Sequence, residues 1–522
     1  MKWKRPLYLT HRWLGIVLSG FFVLWFVSGI FMMYVDFPQL SRPERLASLP
    51  TLDSSGARLA PGDAVSRLRA RDFSVVGTPS RNLDQKHQGD QHASVQAAAV
   101  RLTMLLGRPA YVVDVEGPAQ PRLVFADSGD VLDRVDADTA LEIAQAHARR
   151  TWPGQALTPR YLAQLQTDQW SVSSAMNAHR PLHRVALDDA AGTELYVSSV
   201  TGEVVRDSHR SERLLNLPAA VTHWLYPVLI RRYPDAWAWM VDILATVGVA
   251  LALTGLWVGV LRWKRRSQPG KSSIPYRGLM RWHHITGLVF GLAALTWVFS
   301  GLLSMNPGKL NPSRTPSAAE SQVYSGMPLT PAQFSRPAWS GIEVVEAELA
   351  HYLGHPYYVL TLRGGQLRLL SASNLPGALP DIASMQARAG WLMPGTPILH
   401  NRVLHAFDNH YYTRRPENGS RPLPVIRVQF DDAQHTWFHL DPVRGVILER
   451  STRVNRLYRW LYNGLHSFDL LWLWERRPLW DIVVIGFSLG GILLSLLGLI
   501  AGVRRLRHDM GWSGPARQRR PV

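Results

Sequence analysis

Four long runs of apolar residues constrain this chain more than any other feature. Each run has about 20 residues, the length that an α-helix needs to cross the roughly 30 Å hydrocarbon layer of a bilayer. Each is bordered by aromatic or basic residues of the kind that lie at a membrane surface. We therefore predict four membrane-spanning helices, at about residues 13–35, 237–261, 282–305 and 480–503.

The basic residues indicate how these helices are oriented. They cluster before the first run, between the second and third runs, and after the fourth run. Basic flanks stay on the cytoplasmic side, so we expect both termini in the cytoplasm of a bacterial cell and the protein in its inner membrane. The first run is too long for a cleaved signal peptide and has bulky residues at its end, so we expect it to be retained.

This orientation divides the chain into eight segments. We predict a cytoplasmic N-terminus with helix 1 (1–35), a first periplasmic region (36–235), helix 2 (236–262), a cytoplasmic loop (263–281), helix 3 (282–305), a second periplasmic region (306–479), helix 4 (480–503) and a cytoplasmic tail (504–522).

Charge and composition narrow the function classes. A net charge of +18 would suggest nucleic-acid binding on an evenly basic surface. Much of the excess lies beside the apolar runs, so we expect the lipid bilayer, and no nucleic acid, as a partner. The chain has no cysteine, which excludes disulfides, thiolate metal sites and covalently attached c-type haem.

The sequence also matches itself in two long ungapped registers, which predict an internal duplication. One register joins the starts of the two halves and the other joins their ends. Each half would then be a helix, an extracytoplasmic segment and a second helix, with a pseudo-twofold axis along the membrane normal. The matched positions include His11 and His283, Trp25 and Trp297, Ser28-Gly29 and Ser300-Gly301, His223 and His466, and Gly255 and Gly498.

The extracytoplasmic segments have the alternating pattern of short strand pairs joined by turn residues. Examples are residues 108–115 with 122–126, and residues 355–362 with 367–372. A stretch with helical periodicity follows at residues 138–148, and Asp138 is its predicted N-cap. The predicted fold class is a membrane protein in which a four-helix transmembrane bundle carries two α+β extracytoplasmic domains.

Two sets of residues carry a resemblance to a known family. Residues 180–204 have the pattern Arg-Pro-Leu-x-Arg-Val, Asp-Asp and Thr-Gly-Glu-Val, and residues 461–469 and 477–484 form a distinctive final segment. Together with the histidine-led membrane helices, they resemble the PepSY-associated transmembrane helix family. The resemblance implies that the outer domains are PepSY-like and that the chain is an iron-regulated inner-membrane protein, similar to di-haem ferrisiderophore reductases.

Independently of that resemblance, the matched histidines suggest haem ligation. His11 and His283 begin helices 1 and 3, whereas His223 and His466 precede helices 2 and 4. A twofold-related pair can approach a haem iron from opposite faces, so we predict two non-covalent bis-histidine haem b groups, with Trp25 and Trp297 between them.

Two points about these histidines stay open. His284 is an alternative to its neighbour His283, although the register favours His283. All of these positions also suit ordinary interfacial histidines, which a duplication would copy whether or not they bind a cofactor. A third group, His400, His405 and His410, is spaced by five residues and would point to different faces of a helix, which disfavours a metal site there.

The expected function is transmembrane electron transfer that reduces a periplasmic ferric chelate, such as a ferrisiderophore, for iron uptake. The inner haem would accept electrons from quinol or a cytoplasmic reductase, and the electron donor stays open because the chain has no dinucleotide-binding motif. One alternative is a non-redox PepSY membrane protein that binds or inhibits a protease. Another alternative is a siderophore transporter. Transport sites usually have polar groups near the membrane midplane, whereas the charged residues within the predicted spans, Asp242 and Asp481, lie near the outer ends of their helices. The sequence therefore disfavours a transporter. The chelate, the oligomeric state, and whether a haem site is also the catalytic site stay open.

Overall fold

The computed structural model describes residues 3–76, 97–115, 120–263, 273–373, 379–419 and 421–510. The chain forms two compact units. The helical unit comprises residues 1–37, 214–312 and 454–522, and the mixed α/β unit comprises residues 38–213 and 313–453.

The helices of the described residues range from one turn to more than eight turns. In chain order they are α1 (Lys4–Met32), α2 (Arg42–Ser48), α3 (Pro61–Val76), α4 (Ala137–Thr151), α5 (Arg210–Asn216), α6 (Val228–Arg231), α7 (Pro234–Arg262), α8 (Gly278–Ser304), α9 (Ala318–Ser325), α10 (Ile382–Ala387), α11 (Arg453–Arg459), α12 (Leu465–Ser467), α13 (Leu471–Trp474) and α14 (Leu479–Asp509).

The strands all belong to the mixed α/β unit. They are β1 (Ala97–Leu105), β2 (Arg108–Val115), β3 (Arg122–Phe125), β4 (Val131–Leu132), β5 (Arg160–Leu165), β6 (Leu182–Ala186), β7 (Glu194–Ser198), β8 (Val204–Ser208), β9 (Val344–Tyr352), β10 (His355–Leu362), β11 (Leu367–Ser371), β12 (Ile398–Leu404), β13 (Val425–Phe430), β14 (Trp437–Asp441) and β15 (Val446–Ser451).

Within the described residues, α1, α7, α8 and α14 are the four helices long and apolar enough to cross a membrane. Only 22–28% of each apolar window is buried inside the chain. The remaining surface is apolar and faces outward, as expected for helices surrounded by lipid. Most of these helices extend past the predicted apolar runs, because the run marks only the part that lies in hydrocarbon and helical backbone continues into the flanking polar sequence.

The helical unit has a core in which large side chains of one helix lie against glycines of another. Phe26 of α1 packs on Trp297 of α8, with 5.6 Å between ring centres. A Cβ atom added to Gly491 of α14 would lie 2.6 Å from the Phe26 ring, and one added to Gly248 of α7 would lie 2.9 Å from Val298. These glycines therefore permit the close approach of neighbouring helices, as small residues commonly do in membrane bundles.

In the mixed α/β unit, the segments 38–213 and 313–453 share one sheet. Seven strands run in the order β11-β10-β9-β1-β2-β3-β4. The joint is the antiparallel pair β1 and β9, where Arg101 lies opposite Glu348 and Leu102 lies opposite Ala347. The predicted strands at residues 108–115 and 355–362 are present as β2 and β10, but the sequence did not predict that the segments would pair.

Two further sheets have four strands each and the same chain order, β5-β6-β7-β8 in the first half and β12-β13-β14-β15 in the second. The predicted helix is present as α4, but Asp138 is not its N-cap. Asp136 occupies that position, where its carboxylate accepts a hydrogen bond from the Thr139 N–H at 2.8 Å. Asp138 instead lies in the first turn, where its negative charge interacts favourably with the helix dipole.

A buried ionic network also links the two segments of this unit. Glu346 of β9, whose residue surface is 3% exposed, accepts two hydrogen bonds from Arg45 of α2, at 2.6 and 3.1 Å. Arg101 of β1 lies between Glu346, at 3.4 Å, and Glu203, at 2.6 Å. Since a buried carboxylate is costly without partners, these arginines make the joint between the segments specific.

Candidate functional site

The helical unit brings the four matched histidines together as two pairs. In the first pair, His11 of α1 and His283 of α8 lie near the N-terminal ends of their helices, with 6.4 Å between ring centres and 30° between ring planes. In the second pair, His223 and His466 lie with ring centres 6.1 Å apart and planes at 69°. The structure thus places each histidine opposite its own match from the other half.

Both separations suit two imidazoles on opposite sides of one metal ion. A metal–nitrogen bond to histidine is about 2 Å, and the ring centre lies roughly 1.2 Å beyond that nitrogen, so trans ligands have ring centres about 6 Å apart. The donor set therefore fits a bis-histidine haem at either level.

The second nitrogen of three of the four rings faces a hydrogen-bonding oxygen on a neighbouring helix. His11 Nδ1 lies 3.3 Å from the carbonyl oxygen of Leu251 on α7. His223 Nδ1 lies 3.0 Å from Ser28 Oγ, and His466 Nδ1 lies 3.1 Å from Ser300 Oγ. An acceptor at Nδ1 selects the tautomer in which Nδ1 carries the hydrogen and Nε2 has the ligating lone pair, an arrangement common among metal-bound histidines.

Each imidazole also lies against a glycine of the adjoining helix. A Cβ atom added to Gly255 would lie 2.7 Å from His11 Cε1, and one added to Gly498 would lie 3.3 Å from His283 Cε1. At the second pair the corresponding positions are Gly29, 3.6 Å from His223, and Gly301, 3.5 Å from His466. The histidine rings of the first pair therefore lie closer to the backbone of the adjoining helix than the rings of the second pair do.

The backbone around His223 and His466 departs from regular helix in the same way in both halves. A π-helical turn precedes each histidine, at Leu217–Val221 and at Trp460–Gly464. Two residues after each histidine, Leu225 and Phe468 have φ angles of 53° and 49°. Left-handed backbone is unfavourable for such side chains, and π-helical turns and strain of this kind concentrate at functional sites. Sequence reasoning missed both features.

The two pairs lie near opposite ends of the bundle. His11 and Gly29, which contacts His223, are separated by 18 positions along α1. At 1.5 Å per residue this is about 27 Å along the helix axis, close to the thickness of the hydrocarbon layer.

Aromatic side chains fill part of the space between the two levels. Trp297 is 8% exposed and packs between Phe26, at 5.6 Å, and Phe468, at 5.9 Å. Its match Trp25 is less buried and contacts Phe22 at 6.0 Å. Trp297 is therefore the more deeply packed of the two tryptophans, and the position of both between two haems stays a prediction.

His284 has different surroundings from His283. Its Nε2 lies 2.8 Å from the carbonyl oxygen of Gly259 on α7, and its ring packs edge-on against Tyr276. The side chain is buried and does not form the ring pair with His11, which is made by His283. His284 therefore contributes to the packing of α8 against α7, and the geometry favours His283 as the ligand.

His223 lies outside the spanning helices, and its ionisation can be judged. Burial, and secondarily the neighbouring His466, lowers the pKa of His223 to about 3. The imidazole is therefore neutral at physiological pH, which is the form that ligates a metal.

His400, His405 and His410 do not form a metal site in the part of the chain that the structure describes. His400 lies on strand β12, whereas His410 packs edge-on against Trp437. No group of three or more histidine, aspartate or glutamate side chains among the described residues is arranged to hold a metal ion.

A known protein family matches nearly the whole chain. The family model described as the PepSY-associated TM region matches residues 8–500. The chain belongs to this family. No curated protein matches it significantly. The match covers both histidine pairs of this PepSY-associated membrane protein and all of its mixed α/β unit.

Proposed function

We propose that this PepSY-associated protein carries electrons across the bacterial inner membrane through two haem b groups and reduces a ferric chelate, such as a ferrisiderophore, in the periplasm. The observation that supports this most strongly is the spacing of the two histidine pairs, 6.4 and 6.1 Å between ring centres. The distribution of basic residues supports a position of the first pair near the cytoplasm and of the second near the periplasm.

The duplication and the extracytoplasmic position of the mixed α/β unit are part of this proposal. Matched features support the duplication: π-helical turns before His223 and His466, left-handed residues after them, and four-stranded sheets with the same strand order. Copying one half accounts for two histidine ligands at each level, because the pseudo-twofold axis brings each histidine opposite its copy.

The residues of the protein would hold the two haems, orient the imidazoles that ligate them and exclude water from the space between them. His11 and His283 would hold one haem, and His223 and His466 the other. Bis-histidine haem supplies reversible one-electron transfer. The serine and carbonyl acceptors orient the imidazoles, and the apolar core between the pairs, which includes Trp297, excludes water.

The ferric chelate is the electron acceptor in this scheme. Hard oxygen ligands bind ferric iron more tightly than ferrous iron, so addition of one electron weakens the chelate and releases the metal. The mixed α/β unit would bind the chelate. Quinol or a cytoplasmic reductase would supply electrons to the first pair.

The visible spectrum of the full-length protein in detergent tests this proposal. We expect a Soret band that shifts on reduction with dithionite, sharp α and β bands, and two haems per chain. His11→Ala and His283→Ala should each remove the same haem, and His223→Ala and His466→Ala the other. His400→Ala, at an exposed histidine of the mixed α/β unit, is the control and should retain both haems.

Two outcomes would contradict the proposal. A colourless protein would favour the non-redox binding or inhibitory alternative, and retention of both haems after removal of all four histidines would show that the ligands lie elsewhere. For the reductase step, the protein in liposomes that enclose a reductant should reduce an external ferric hydroxamate chelate, and His223→Ala should abolish that reduction. Accumulation of intact chelate inside would favour the transporter alternative.

A further inference from the structure

The two histidine pairs differ in what accepts their Nδ1 hydrogens. At the first pair, His11 Nδ1 faces the Leu251 carbonyl at the long distance of 3.3 Å. The matched carbonyl of Leu494 lies close to the His283 imidazole, but among the described residues His283 Nδ1 has no hydrogen-bond partner of normal geometry. The imidazoles of the first pair are therefore held only weakly through their Nδ1 atoms.

At the second pair, each imidazole lies within hydrogen-bond distance of a buried serine hydroxyl. Ser28 and Ser300 are 0% exposed, and their Oγ atoms lie 3.0 Å from His223 Nδ1 and 3.1 Å from His466 Nδ1. His466 Nδ1 also lies 3.3 Å from the Trp297 carbonyl oxygen. The second pair is therefore held by shorter contacts than the first.

Each serine is itself polarised by the same helix. Ser28 donates its hydroxyl hydrogen to the Trp25 carbonyl at 3.1 Å, and Ser300 donates to the Trp297 carbonyl at 3.0 Å. A hydroxyl whose hydrogen is so committed offers its lone pairs to the imidazole. Successive hydrogen bonds in a buried chain strengthen one another, so this relay draws the Nδ1 hydrogen more strongly than an isolated acceptor at 3.3 Å would.

Stronger hydrogen bonding at Nδ1 makes an imidazole a more basic ligand, which stabilises ferric over ferrous haem iron. We propose that Ser28 and Ser300 are positioning residues that hold the second histidine pair and lower the reduction potential at its haem relative to the haem of the first pair. This inference rests on the proposed haem function.

A lower potential at the periplasmic level suits the proposed reaction. Chelates that prefer ferric iron have low reduction potentials, so their reductant must have a low potential as well. The inside-negative membrane potential favours outward movement of an electron. The membrane potential therefore offsets the unfavourable electron transfer from the first haem to the second. The two serines would give the second haem, which lies on the side of the chelate, the lower reduction potential.

The ring planes provide a way to tell the two haems apart. Imidazole planes at 30° in the first pair and 69° in the second would place low-spin ferric ions in different ligand fields. Nearly parallel planes give a rhombic EPR signal, whereas steeply crossed planes give a highly axial signal. A redox titration followed by EPR therefore assigns each midpoint potential to its level.

The test compares Ser28→Ala, Ser300→Ala and the double variant with the wild-type full-length protein in detergent. Each single variant should raise the midpoint potential of the axial signal by an amount that changes the equilibrium constant for electron transfer between the haems about tenfold. For one electron this is about 59 mV. The double variant should raise it further, and the rhombic signal should keep its potential. Ser488→Ala is the matched control, since the Ser488 hydroxyl donates within its own helix to the Val484 carbonyl at 2.8 Å.

Retention of the hydroxyl provides a second measurement. Ser28→Thr keeps the acceptor and should keep both the haem and its potential, even if Ser28→Ala releases the haem. An unchanged axial midpoint in both alanine variants, an equal shift at both levels, or loss of haem from the threonine variant would overturn the inference. Absence of haem from the wild-type protein would instead refute the proposed function.

Discussion

Substitution of Gly255 by alanine offers a direct test of the first histidine pair. The added Cβ atom would lie 2.7 Å from His11 Cε1 and 3.2 Å from His11 Nδ1. Non-bonded carbon atoms prefer a separation of about 3.5–4.0 Å, so the imidazole must retreat by roughly 0.8 Å or more. A ligand constellation tolerates displacements of only about 0.5 Å. If the proposed haems are present, we therefore expect Gly255→Ala to remove the one that His11 and His283 would hold.

Gly29→Ala is the matched control at the second pair. Its added Cβ atom would lie 3.6 Å from His223 Cε1, which is an ordinary van der Waals contact. Both changes replace a helical glycine by alanine, which by itself favours the helix by about 0.5–1 kcal/mol. The two variants therefore differ mainly in the clash with the ligand, and Gly29→Ala should retain both haems.

The assay is haem content per chain, measured from the reduced-minus-oxidised spectrum of purified protein. Without haem, the His11 ring can turn aside, so thermal unfolding of the haem-free protein should change little in Gly255→Ala. Full haem content in that variant, or an equal loss in Gly29→Ala, would refute the assigned contact between Gly255 and the His11 ring.

Three further predictions follow from particular contacts. His283→Ala should lose the haem that His11→Ala loses, whereas His284→Ala should keep it, as read from the same difference spectra; the reverse result would transfer the ligand role to His284. Glu346→Ala should lower the free energy of unfolding of the mixed α/β unit by about 3–5 kcal/mol in a denaturant titration, because it leaves Arg45 without its buried partner and Arg101 with Glu203 alone; a change below 1 kcal/mol would contradict this. Desolvation alone would raise the pKa of Glu346, but Arg45 and then Arg101 outweigh it and hold that pKa below its usual value. The stabilisation is therefore complete above the unfolded pKa of about 4.3 and is lost as the pH falls through the lowered folded pKa, so the wild-type unit should lose more stability over that acid range than Glu346→Gln does.

The mixed α/β unit illustrates how far local patterns reach. Alternation of apolar and polar residues predicted strands β2 and β10, because the side chains of a strand alternate between the two faces of a sheet. It did not predict the β1–β9 pair, since that pairing joins positions such as Leu102 and Ala347, which are far apart in sequence. Similarly, two aspartates compete for the N-cap of α4, and only the backbone geometry at Asp136 decides between them.

The sequence alone determined the number and approximate places of the membrane helices, because about 20 apolar residues are required by the thickness of a bilayer whatever surrounds them. It also determined which histidines correspond between the halves. Only the tertiary structure decided that His283 rather than His284 meets His11, and that Ser28 and Ser300 hold the second pair. Those choices depend on how helices rotate against one another, and that rotation is set by the packing of side chains from distant parts of the chain.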